Sequence, residues 1–313
     1  MKLIRPRSPK QVLTASVATI GNFDGLHRGH QALIAAMNAM AKSQDLPSVL
    51  ISFHPLPKEF FSKRPGRLMS ITEKIIQLKH LKVDYFYCIP FNAFWSHMSA
   101  PDFMREVLQE ALGAKHLFVG EDFRFGYQRL GGISQLRSFG ERANMQVHVA
   151  PETTYHHTRI SSSWLRNSLI EGKLERASAL LGSSYAITGR VIHGAKLGRK
   201  LGFPTINIAL RRRGSVLSGV YVARVHIKDQ VFFAAASVGV RPAVCGREML
   251  LEAHLLDFNQ EIYGQRVTIV FLQKLRDEWD FPDLASLCRQ IQRDVEKTQQ
   301  YCLNHGGLSF TRA

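Results

Sequence analysis

Cysteine is scarce in this chain: Cys88, Cys245, Cys288 and Cys302 are its only four, and no two form a CxxC pair. That argues against a structural disulfide and leads us to expect reduced thiols in the cytoplasm. Long hydrophobic runs are also missing. The apolar stretches are broken by charge well short of a bilayer span, and Met1 to Lys10 is polar and basic with no apolar run behind it. A soluble, non-exported protein with no membrane partner is therefore expected. Acidic residues are in deficit, 25 Asp plus Glu against 41 Lys plus Arg, which gives a formal charge of +16. Such a field favours anionic partners without saying which. Yet neither an RNP-type signature nor a basic face with interleaved aromatics is visible, and the densest basic run, Arg211 to Arg213, reads as a solvated loop. No nucleic-acid partner is expected. Nor is there a GxxxxGK[ST] or HExxH motif. What remains is an ordinary globular composition, 45% hydrophobic and 21% charged, which excludes a disordered or collagen-like chain. A length of 313 residues suits two domains.

From Gln11 to about Val149, short apolar runs alternate with amphipathic stretches. Val17 to Ile20, Val49 to Phe53, Tyr85 to Ile89, Leu117 to Val119 and Val147 to Val149 read as buried strands. Between them, Phe103, Met104, Val107, Leu108, Ala111 and Leu112 form a one-face helical stripe that starts at Pro101 and stops at Gly113. Strand and helix in alternation predict a parallel sheet covered by helices, with ligands at the C-terminal strand ends. A helical pair spans about Ser163 to Leu181, and the grammar changes at Gly182 to Ser184. The runs Tyr185 to Ile192, Gly219 to Ile227, Val231 to Val240, Leu250 to Leu256 and Arg266 to Leu272 are β-rich, with turn residues between them. Five or six strands in meander-like order predict a small antiparallel barrel. A helical stripe, Leu284, Leu287, Cys288, Ile291 and Val295, closes the chain.

The segment Ala18 to Ile34, ATIGNFDGLHRGHQALI, runs an apolar strand through a Gly-rich turn into an amphipathic helix. Gly21 and Gly25 permit a tight turn, and Gly29 and His30 fall near the helix start. Unpaired N–H groups and partial positive charge suit that end to phosphate oxygens. His27 and His30, three apart, can donate to the same anion. A zinc site is the rival use of two histidines, but no HExxH and no nearby cysteine supports it. Ser161, Ser162 and Ser163 precede another helical stripe with Arg166 on its first turn; the residues alone fit a plain N-cap as well as an anion contact. Asp122, Phe123, Arg124 and Phe125 fit either an ordinary strand-end loop or an aromatic pair beside a cation that holds a flat ring.

In the second half, Gly189 to Asn207 reads GRVIHGAKLGRKLGFPTIN. Gly194 and Gly198 with Lys196, Arg199 and Lys200 could wrap nucleotide phosphates. Thr205 and Asn207 face the same way on an extended segment, and their oxygens suit Mg²⁺; a surface turn explains the segment equally well. Glu252 lies inside the apolar strand pattern LLEAHLLDF with His254 on the same side, so it is paired, exposed on the other face, or functional.

GNFDGLHRGH resembles the HxGH signature of nucleotidylyltransferases, and in this fuller form it resembles the bacterial bifunctional riboflavin kinase and FMN adenylyltransferase family. SFHPLP (Ser52 to Pro57), GEDFRFG (Gly120 to Gly126) and RISSSWLR (Arg159 to Arg166) are similar to further motifs of that family, and GFPTIN with LEAHLLDF to its riboflavin kinase part. The likeness runs from about Val12 to Tyr301. It implies an α/β plus β fold: a Rossmann-like nucleotidylyltransferase domain at 1–182 and a riboflavin kinase barrel with a terminal helix at 183–313. His27 and His30 would then be catalytic, with Gly21, Asn22, Phe23, Asp24, Gly25, Gly29, Ser161, Ser162 and Arg166 at the nucleotide of the first domain. Gly194, Gly198 and Arg199 would hold that of the second. Phe53, Pro55, Asp122, Phe123, Arg124 and Phe125 would meet flavin, Thr205 and Asn207 would hold Mg²⁺ with ATP, and Glu252 would be the base on the riboflavin 5′-hydroxyl. The implied ligands are riboflavin, FMN, ATP and FAD, with the oligomeric state left open. Three departures stand out: Ala195 where the family often has an acidic residue, Trp164, and SVGVRP (Ser237 to Pro242) in place of NVGTRP. Two other classes compete: a nucleotidylyltransferase with one working site and a non-catalytic barrel, and a basic nucleic-acid-binding protein with structural histidines.

Overall fold

The computed structural model describes residues 1–61, 66–194, 198, 201–210, 216–243 and 246–305, with the backbone alone at 240–243 and 246–248. Arg211 to Arg213, Ala195, Lys196, Arg199 and Lys200 lie outside the described residues. The chain divides into two compact units, Met1–Arg64 with Met69–Ser162, and Pro65–Leu68 with Ser163–Ala313.

The first unit is built on six parallel strands: β1 (Lys2–Ile4), β2 (Ser16–Ile20), β3 (Ser48–Phe53), β4 (Tyr85–Ile89), β5 (Ala114–Gly120) and β6 (Gln146–Ala150). Their order across the sheet is β1-β4-β3-β2-β5-β6. Both faces are covered, as a parallel sheet requires. Ala18, Ile20, Val49, Ile51, Leu117 and Val119 point to one side and pack with Phe103, Met104, Val107 and Leu108. Val17, Leu50, Phe86 and Phe118 point to the other and pack with α1 (Arg28–Ser43) and α2 (Ile71–His80) through Ile34, Met37 and Leu78. The stripe after Pro101 buries its apolar residues as its spacing predicts, but over Phe103–Ala111 it is wound as a π-helix, closed by an i→i+5 bond from the Leu112 N–H to the Val107 carbonyl. The chain leaves β2 for β3 on one side, whereas β5 pairs with β2 on the other. The strand order thus reverses at β2 and β5, the point where α/β sheets bind ligands.

In the second unit, the expected helical pair is α3 (Ser162–Ile170) and α4 (Leu174–Leu181). Six antiparallel strands then close a barrel: β7 (Ala186–Ile192), β8 (Ile206–Ala209), β9 (Gly219–Ile227), β10 (Gln230–Ala243), β11 (Gly246–Leu255) and β12 (Arg266–Arg276). Their cyclic order is β8-β11-β10-β9-β12-β7. Only β9, β10 and β11 form a meander, so the simple up-and-down order expected from sequence is corrected: the short β8 crosses to β11, and β12 returns to close on β7. The terminal helix α5 (Leu284–Asn304) packs through Ile291, Val295 and Cys302 against Phe233, Ala235 and Leu256.

Candidate active sites

Three motif segments leave the C-terminal ends of neighbouring central strands of the first unit. Gly21 follows β2, Ser52 and Phe53 end β3, and Gly120 ends β5. The β2–α1 connection is tight, with Phe23 at φ 45°, Gly25 at 89° and Leu26 at 44°. Its carbonyls are tied back to protein donors. Asn22 accepts from the Ser52 hydroxyl at 3.0 Å, Asp24 from the Ser162 hydroxyl at 2.8 Å, and Leu26 from Gln31 Nε2 at 2.8 Å. Oxygens that would repel phosphate are thereby engaged, and Ser162 lies at the loop.

His27 is the N-cap of α1, and its Nδ1 accepts from the His30 N–H at 3.4 Å. An acceptor at Nδ1 leaves the proton of the neutral ring on Nε2. The two imidazoles stack at 3.7 Å between centroids. Gly29 makes this possible, because a Cβ there would stand 3.3 Å from the His27 ring. Burial, reinforced by the positive charge of Arg159, pushes the His27 pKa down to about 4. Burial, then His27 and Lys74, holds His30 well below its ordinary value. Both rings are therefore neutral near pH 7, able to donate through N–H without a proton to lose. His30 Nδ1 is buried and has no protein partner.

The residues meant for flavin divide. Phe53 and Pro55 are half-buried at the end of β3, and Phe53 packs edge-on against Phe91 at 5.6 Å. Phe60 and Phe61, which sequence reasoning missed, join that cluster and remain exposed. Phe123 stacks on Phe125 at 5.5 Å, but Phe125 is itself core. Asp122 pairs with Arg159 at 2.6 Å, and that guanidinium lowers its pKa. Arg124 is exposed and lies across Gly132, where a Cβ would meet it at 2.5 Å. Phe23 is wholly buried among Val17, Leu26 and Ile34, which leaves only its backbone for a nucleotide. Arg166 falls in the second unit, where its guanidinium donates to the Gly66 carbonyl.

In the second unit one cavity of about 270 Å³ gathers Gly198, Thr205, Asn207, Glu252 and His254. Leu251, Ala253 and Leu255 fill the barrel interior, so the alternate residues Glu252 and His254 face outward, toward α5. Asn207 on β8 sits directly opposite Glu252 on β11, with Ser237 on its other flank. His254 Nδ1 meets the Pro204 carbonyl at 2.8 Å; as the carbonyl can only accept, the ring donates. This bond anchors the PTIN segment beside Glu252, a role the sequence did not reveal. Gly194 abuts Asn207, whose side chain would lie 2.5 Å from an added Cβ. Trp279 and Phe281 bracket the Arg276 guanidinium, which is bonded to Asp294 of α5, and they complete the far wall.

The two units correspond to two family models: FAD synthetase over residues 9–164 and riboflavin kinase over 181–302. The chain is 39% identical over 305 residues to the bifunctional riboflavin kinase/FMN adenylyltransferase of Haemophilus influenzae, covering 96% of this chain and 99% of that one. It is 42% identical over 282 residues to the protein of that name from Pseudomonas fluorescens, covering 89% and 90%. The chain belongs to the bifunctional riboflavin kinase/FMN adenylyltransferase family. It phosphorylates riboflavin to FMN and adenylylates FMN to FAD, with ATP as substrate of this enzyme family. A crystal structure described as a macrolide-efflux protein of Streptococcus pneumoniae shares the fold of this family member, with a TM-score of 0.81 at 29% identity over 96% of this chain and 99% of that one. Among the described residues, no helix is long and apolar enough to cross a membrane.

Proposed function

We propose that residues 1–182 carry adenylylation, at the β2–α1 loop, and residues 183–313 carry phosphorylation, in the outward cavity of the barrel. The observation that carries the reading is the register pair Asn207 and Glu252: an amide oxygen and a carboxylate side by side in one cavity.

In the barrel, Glu252 takes the proton of the riboflavin 5′-hydroxyl. The oxygen attacks the γ-phosphorus of ATP, the bond to the β-phosphate oxygen breaks, and ADP leaves with FMN formed. A positioned base is worth about 10²- to 10⁴-fold here, since a primary alcohol is a poor nucleophile. Thr205 and Asn207 fit Mg²⁺: Asn207 Oδ1 is buried with no protein partner, and both are hard oxygen donors. When bound there, the ion would neutralise charge on the ATP phosphates. His254 holds the Thr205 segment in place, Gly194 and Gly198 let the backbone approach phosphate, and Arg199 is assigned with them.

In the first unit, an FMN phosphate oxygen attacks the α-phosphorus of ATP in line, and pyrophosphate leaves. The Nε2–H of His27, the ring of His30 and the opening amides of α1 stabilise the charge that builds on the phosphates. Gly21, Asn22, Phe23, Asp24 and Gly25 contribute backbone, Ser161 and Ser162 meet the phosphates, and Phe53, Pro55, Asp122, Phe123 and Arg124 line the flavin side with Phe125 behind them. The reactions are assigned to the cytoplasm on the low cysteine usage, with neither nucleic acid nor membrane as partner. Supplied with FMN, ATP and Mg²⁺, His30→Ala should release no pyrophosphate while Glu252→Gln releases it at the parent rate. Equal release by both variants would overturn the assignment.

A further inference from the structure

The first unit buries several charged side chains, among them Asp24, Glu59, Glu73 and Lys74, and the lysine has no place in the scheme above. Lys74, on α2, is 4% exposed. It occupies the inner stripe of that helix beside Ile71, Ile75 and Leu78, where a methionine would pack as well. Burying an ammonium costs several kilocalories unless it is paired and bonded, so an apolar residue is the default there. Its Nζ donates to the Asn22 carbonyl at 2.7 Å and to the Ser52 hydroxyl at 3.2 Å. The Ser52 hydroxyl in turn donates to the same Asn22 carbonyl. One ammonium thus joins the GNFDG loop to the end of β3. A neutral donor would hold the carbonyl equally well. What the lysine adds is a fixed positive charge beneath the loop, close enough to act on His30 and on Cys88.

We propose that Lys74 is a positioning residue for adenylyl transfer, holding the β2–α1 loop by its Asn22 carbonyl and placing a buried positive charge behind the site of the ATP phosphates. The inference rests on the assignment of adenylylation to this loop. The charge adds to the burial that keeps the His30 imidazole neutral, and hence a donor, and it favours an anion at the end of α1.

The test is steady-state adenylylation by Lys74→Met, with FMN and Mg²⁺ fixed and ATP varied, and riboflavin phosphorylation by the same protein as the internal reference. A misplaced loop lowers kcat/KM for ATP by up to about 100-fold, and part of that loss falls in KM because the charge acts on bound phosphate; FMN formation stays within about twofold. Lys74→Arg, which keeps charge and donors, should recover most of the loss. A merely structural lysine predicts an unchanged KM, with kcat reduced only in proportion to the folded fraction, and that result overturns the proposal. Should Lys74→Met fail to fold, Lys74→Gln decides: it keeps a donor for the Asn22 carbonyl and removes the charge, so a raised KM for ATP supports the account and an unaltered one overturns it. His30→Ala runs alongside. If His30→Ala loses FAD formation while Lys74→Met keeps parent kinetics, only the lysine proposal falls; if His30→Ala keeps it, the site assignment has failed.

Discussion

A single imidazole shows how burial sets chemistry in the first unit. With its pKa pushed down to about 4, His27 is neutral across the pH range in which ATP is handled. The unfolded chain, with an ordinary histidine value near 6.5, takes up the proton first. The stability contributed by the neutral ring is therefore complete above about pH 6.5, falls as pH drops, and is gone below about pH 4. The His27 ring proton resonance should titrate with a midpoint near 4, and a midpoint near 6.5 would contradict the burial. Urea midpoints at pH 7 and pH 5 should lie closer together in His27→Gln than in the parent. Glu252→Gln should lower FMN formation by about 10²- to 10⁴-fold, as product chromatography from riboflavin would show, while added FMN still becomes FAD. The HxGH pair was legible because two histidines and two glycines do little for a core. Phe23, by contrast, looked like part of the ligand loop and proved to be the core plug beneath it. Lys74 and His254 act through backbone carbonyls distant in sequence, which no local pattern announces.

Elements were readable where periodicity was long, and not where pairing alone defines them. The strands β2 to β5 fall within a few residues of the apolar runs, because a parallel strand buried on both faces leaves a continuous hydrophobic signature; β6, expected as a buried strand at Val147 to Val149, lies at the sheet edge with no residue fully buried. The three-residue β1 and the four-residue β8 leave none, and β8 is a strand by virtue of partners on both sides. Barrel order escaped for the same reason, since closure depends on which distant edges meet. The terminal helix was legible from its stripe, but its anchor was not: Arg276 of β12 bonds Asp294 of α5 through both carboxylate oxygens, at 2.8 to 3.2 Å, with Gln290 as a further donor. A buried pair adds little by existing, yet removing one partner strands a charge. Asp294→Ala should therefore cost the second unit about 3–5 kcal/mol, read from the denaturant midpoint of riboflavin kinase activity, and it should weaken riboflavin binding by loosening the wall at Trp279 and Phe281. An unshifted midpoint would mean that α5 is held by its apolar face alone.

At the scale of the molecule, the +16 charge suits a protein whose substrates include ATP and FMN, both anions. Two chemistries on one chain have a direct consequence: each should survive loss of the other, and FMN released by one polypeptide should serve another. Mixing purified His30→Ala and Glu252→Gln proteins with riboflavin, ATP and Mg²⁺ tests this. Separate sites predict FMN alone from the first, no flavin nucleotide from the second, and FAD from the mixture. A mixture that makes no FAD, from two variants that both retain the parent fold, would contradict the assignment of one reaction to each unit.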